Sequence, residues 1–193
     1  MDKEQLHEAR TNPDFLKYLE ETRVDAIATK NISALYEVLD SFLVLDIEEN
    51  RINEVYQHIL QISSESIEKI LEENKKLTLE DDDLFYIRAF YEYAIEKWSY
   101  EDFAGSKQLI FVLSNIVEDE VLVDALKAHI IALSNKKDLD SFYGMEVNLT
   151  EINNDEKYGY FITSFNYDLK DHLEHNKNTL QKEYDNLKHL LED

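Results

Sequence analysis

The chain of 193 residues contains no cysteine, one proline and three glycines. Without thiols there is no disulfide framework and no thiolate metal centre. The shortage of Gly and Pro removes the punctuation that all-β and loop-rich folds depend on. Gly105, Gly144 and Gly159 stand far apart, so no Gly-rich phosphate loop exists. No run of about 18 uninterrupted apolar residues occurs, and no membrane span is expected. The opening residues Met1-Asp2-Lys3-Glu4-Gln5 have neither the basic start nor the apolar stretch of a secretory signal. A soluble, cytoplasmic chain is the expectation.

Acid and helix formers fill the space. Asp and Glu number 42 against 20 Lys and Arg, a net charge of −22. Such a field repels nucleic acid and anionic membranes and attracts basic surfaces. The expected partner is therefore another protein, met through an apolar segment or a basic surface, with no nucleic acid, membrane or cofactor involved. Apolar residues make up 44% of the chain, enough for a core. The length suits one domain with an appended helix. Residues 1–143 read as a helical core domain. Residues 144–193 read as a linker or hairpin followed by a C-terminal amphipathic helix packed on that core.

Apolar periodicity predicts an all-α bundle, or stacked antiparallel helical hairpins, of about seven helices. Asn12-Pro13 opens one helix, with Asn12 as cap and Pro13 at the first helical position. A second starts after Asn31, with Leu35, Val38, Leu39, Phe42 and Leu43 on one face. A third runs from about 48 to 74, and its stripe shifts at Ser63-Ser64, predicting a kink or break. Asp81-Asp82-Asp83 places negative charge at a helix start. The helix that follows, 84–97, has little polar surface beyond Arg88, Glu92 and Glu96 and is expected to be enclosed by others. Ser99 is the expected cap of the next helix, with Asp102 reciprocal. Another helix spans about 118–135.

Residues 136–165 read less regularly. Residues 138–144 look like a short turn. Residues 145–152 alternate as a strand does, and 158–165 would pair with them as a small β-hairpin across 153–156. The competing reading is a single terminal helix from about Asp155. Tyr158, Ile162, Phe165, Leu169 and Leu173 open a 3–4 rhythm that continues to Leu191. That continuity favours the helix, whereas Gly159, Thr163 and Ser164 oppose it.

Catalytic constellations are sparse. Asp171-His172-Leu173-Glu174-His175 places side chains one helical turn apart, a spacing that can hold a metal, but a polar helix face is the simpler reading and no metal is expected. Arg51 and His58 are separated by six residues. They resemble the Arg-x4–6-His element of the all-helical HEPN ribonucleases, which implies RNA cleavage with those two residues at the phosphate. Carboxylate pairs arise everywhere from composition alone. A binder is expected ahead of an enzyme.

Aromatic residues concentrate in one hairpin: Phe85, Tyr86, Phe90, Tyr91, Tyr93, Trp98, Tyr100 and Phe103. Tyr and Trp combine large apolar area with a polar tip and are frequent at binding hot spots. Tyr86, Arg88, Glu92, Tyr93, Trp98 and Tyr100 are the candidate partner-binding residues. Residues 84–113, with Tyr100-Glu101-Asp102 followed by Phe103-Ala104, resemble a tetratricopeptide-type hairpin as found in acidic chaperones of type III secretion. That resemblance implies stacked helical hairpins and a groove holding an apolar segment of a partner: a chaperone or adaptor. The alternative is an immunity- or antitoxin-like inhibitor of a basic toxin, meeting it through residues 80–83 and 118–120.

Overall fold

The computed structural model describes residues 3–150 and 156–191. The fold is all-α, with ten α-helices, two 3-10 turns and no strand among the described residues. The chain forms two compact units, Met1–Ser66 and Ile67–Asp193.

The first unit holds α1 (Lys3–Thr11), α2 (Pro13–Thr29), α3 (Ile32–Val44) and most of α4 (Glu49–Glu72). The caps follow the sequence. The Asn12 side chain accepts the N–H groups of Asp14 and Phe15, and Asn31 accepts that of Ala34, satisfying donors that a helix start leaves unpaired. Leu19, Leu35, Val38, Phe42, Val55 and Ile59 are buried at helical spacing. α1 leaves little periodic signal in the sequence, because Leu6 and Ala9 are its only apolar residues. The expected break in α4 is absent: Ser63 is buried and its hydroxyl donates to the Ile59 carbonyl at 2.8 Å, so the polar group is satisfied within the helix.

The second unit contains the end of α4, α5 (Asp81–Ser99), α6 (Phe103–Ile116), α7 (Glu120–Ser134), α8 (Leu139–Met145), α9 (Leu169–His175) and α10 (Lys177–Leu187). α6 packs against both α5 and α7. Residues 128–133 of α7 are buried without interruption, which places this helix at the centre of the unit.

Several expectations are corrected here. Residues 138–144 form α8, started by the Asp138 carboxylate accepting the Ser141 N–H at 2.8 Å. Asp102, not Ser99, caps α6, accepting the Gly105 N–H at 2.9 Å; Ser99 closes α5 by donating to the Glu96 carbonyl. The terminal helix starts at Leu169, where Asp168 caps it, and Asn176 divides it into α9 and α10. Upstream, a 3-10 turn (Glu156–Tyr158) leads into a non-helical strap. The strap buries Tyr158, Phe161 and Phe165, and these burial positions mimic a helical rhythm without a helix. Val147 and Phe165 meet in one antiparallel bridge, with Asn148 N–H donating to Ser164 and Asn166 N–H to Glu146. The expected hairpin is thus reduced to a single bridge; 153–155 of its turn lie outside the described residues.

Five helices end alike. After α2, α3, α4, α5 and α7, residues Lys30, Asp46, Asn74, Glu101 and Lys136 adopt left-handed φ of 55°, 52°, 52°, 61° and 52°. Each pair of following amides bonds back to the helix, as with Lys136 N–H to Leu133 and Lys137 N–H to Ala132. This double bond is the Schellman motif, which glycine usually completes. No glycine of the described chain has positive φ.

Candidate protein-binding surface

Of the aromatic hairpin, Tyr91 and Trp98 are buried in the core, and most of the other rings are half-buried. Trp98 is 0% exposed; its indole N–H donates to the Lys137 carbonyl at 2.8 Å, and its ring packs 4.8 Å from that of Phe142. A fully enclosed ring offers no surface to a partner. Arg88 is also buried. Its Nε donates to Glu92 at 2.7 Å and its guanidinium lies 4.1 Å over the Tyr160 ring, an ion pair and a cation–π contact that hold residues 158–162 beside α5. Tyr86 and Tyr93 are half-buried, and the Lys97 ammonium sits 5.0 Å over the Tyr93 ring. Tyr100 alone of the six candidates is freely presented, at 79% exposure. α5 therefore brings Arg88 and Glu92 together and separates Trp98 from Tyr100.

Arg51, His172 and His175 have structural settings. Arg51 donates to Glu20 at 2.7 Å and lies 4.8 Å over the Phe42 ring. Glu20 also takes Arg23 at 2.7 Å, and the Arg23 hydrogen bond chiefly holds its carboxyl below the usual range. The guanidinium of the ribonuclease-like element is thus engaged by an acid. His172 stacks on Tyr167 at 4.3 Å, while His175 Nδ1 faces the Asp171 carbonyl. No group of three or more potential ligands is positioned for a metal among the described residues.

An apolar depression lies in the first unit. Ala9 of α1, Phe15 of α2, and Asp40, Ser41, Val44 and Leu45 at the end of α3 line a pocket of about 320 Å³. Val44 and the adjacent Leu43 are each 55% exposed, and Tyr18, one turn beyond Phe15, is 57% exposed. Leu43 was expected on the buried face. The signal that it is not lies in the run Phe42-Leu43-Val44-Leu45. Four successive helical residues, at about 100° each, cannot share one stripe. Phe42 and Leu45 take the core side, which turns Leu43 and Val44 outward. Asp14, Glu37 and Asp46 are exposed on the same helices or next to them, and Arg10 reaches Asp46 at 3.5 Å. The unit carries fourteen acidic against six basic residues, a net charge of −8. An apolar cavity of side-chain size with acid around it suits an apolar anchor flanked by cations.

Compared with protein-family models, with curated proteins and with solved structures, the chain matches none.

Proposed function

We propose that the chain is a non-catalytic protein-interaction module, a chaperone or adaptor, and that its α1–α3 pocket takes a bulky apolar side chain from a Lys- and Arg-rich segment of another protein. The observation that carries this reading is the pairing of the 320 Å³ apolar pocket with the outward-turned Val44. Exposed apolar side chains beside an apolar cavity gain from being covered. The net charge of −22 supplies long-range attraction for a basic partner and a salt-sensitive on-rate.

The test is affinity capture with the tagged chain at low ionic strength, comparing wild type with Val44→Asp. The expected result is a stoichiometric basic partner retained by the wild type and lost by the variant. Raising the salt should weaken the complex without dissolving it, since the apolar contact is not screened. Equal retention by both proteins would remove the pocket from the interaction. A complex that dissolves with salt irrespective of Val44 would point instead to the charge-driven inhibitor.

A further inference from the structure

The strap between the 3-10 turn and α9 is held down by an unusual centre. Beyond Phe161, whose N–H bonds back to Tyr158, it crosses the second unit without helical hydrogen bonds. The Ile162 N–H finds its acceptor in a side chain, donating to the Tyr91 hydroxyl of α5 at 3.1 Å. That hydroxyl lies 2.9 Å from His129 Nε2 of α7. His129 Nδ1 lies 2.7 Å from the Ala125 carbonyl. A carbonyl only accepts, so Nδ1 carries the proton, Nε2 accepts, and Tyr91 donates to it. The directions of all three bonds follow from that one tautomer.

The surroundings make the arrangement sensitive. His129 and Tyr91 are buried among rings: Phe161 lies 5.3 Å from Tyr91, and Phe142 and Phe165 lie 5.1 and 6.2 Å from His129. The titratable groups acting on the imidazole and hydroxyl are few. Glu146, after α8, pulls a proton toward His129, and Tyr143 of α8 opposes ionisation of Tyr91. A second proton on the imidazole would put a charge among rings and leave the Tyr91 O–H without its acceptor, both costly in a dry interior.

We propose that residues 158–167 form an acid-released strap, latched by the Tyr91–His129 pair, whose opening uncovers the aromatic surface of Phe142, Phe161 and Phe165. Opening hydrates the imidazole and lets it take its proton, whereas the closed strap keeps it neutral. In the closed strap, burial keeps the imidazole neutral down to about pH 4. The opening equilibrium therefore grows as pH falls from about 6.5 toward 4, tenfold per unit and about 300-fold in all.

Native-state amide hydrogen exchange on the full chain tests this. The protection factor of the Ile162 amide should lie well below those of Leu126 and Ile130 in α7, because the strap opens without global unfolding, and should fall about sevenfold between pH 6 and pH 5. In His129→Gln, which keeps an oxygen acceptor near Tyr91 but has no titratable ring, the Ile162 protection should be flat over that range. If that variant does not fold, imidazole ¹⁵N shifts of the wild type give the same answer. They should show the Nδ1–H tautomer at pH 6 and a ring still neutral at pH 5, where Ile162 protection has already fallen. Ile162 protection that is flat in the wild type, that falls equally in His129→Gln, or that equals the protection of the α7 amides would overturn the proposal.

Discussion

The indole of Trp98 and the carbonyl of Lys137 are joined at 2.8 Å, linking the last turn of α5 to the Schellman turn that ends α7. The ring is fully enclosed, whereas Tyr100, two residues on, is 79% exposed. Trp98→Ala should cost about 3–5 kcal/mol, the range for emptying a large aromatic site. Tyr100→Ala should stay within about 0.5 kcal/mol. Urea midpoints of the two variants check the contrast.

Glycine belongs at the left-handed helix ends that this chain builds without it. Lys136 and Glu101 have φ of 52° and 61°. A side chain there costs about 1–2 kcal/mol, partly offset by the greater freedom of glycine when unfolded. Lys136→Gly and Glu101→Gly should each stabilise the fold by roughly 0.5–1 kcal/mol. Asn74→Gly should do less, since asparagine tolerates this conformation. Thermal melts of the three variants would rank them.

Asp119 joins two jobs. Its carboxylate caps α7 by accepting the Leu122 N–H at 3.0 Å, and it anchors the strap by accepting Tyr158 at 2.9 Å and Lys157 at 3.1 Å. Burial raises its pKa, but these hydrogen bonds outweigh that and leave it below the ordinary carboxylate value. Its contribution is complete above the unfolded value of about 4 and is lost as pH falls through the lower folded value. Asp119→Asn should flatten the acid limb of the stability curve below about pH 4. The His129 effect, from about 6.5 downward, should remain. Denaturation midpoints at pH 3 to 7 would separate the two.

Val44→Asp places a polar group where the side chain is already 55% exposed. Stability should change by no more than about 0.5 kcal/mol. Affinity for the captured partner should drop by at least about tenfold, as for loss of an apolar anchor. Circular dichroism melts alongside binding titrations check both halves.

Much of the helical framework is legible in the sequence because its causes are local. Asn12-Pro13 and Asn31 start helices through atoms two or three residues away, and the stripes of α5 and α7 need only a period near 3.6. The site is less legible. That Phe42-Leu43-Val44-Leu45 must turn two residues outward follows from helix geometry. Which two, and that Ala9 and Phe15 stand opposite, depends on how α1, α2 and α3 pack.

The same division runs through the whole chain. Composition and periodicity alone determine an acidic, cysteine-free, all-α protein, since charge is a sum over residues and helix formation is a short-range property. Only the tertiary structure decides that Trp98 is core while Tyr100 is surface, and that Tyr158, Phe161 and Phe165 belong to a strap. Their rhythm fits a helix equally well. Contacts such as Ile162 with Tyr91, 71 residues apart, choose between the two, and long-range pairing of that kind leaves no trace in a local pattern.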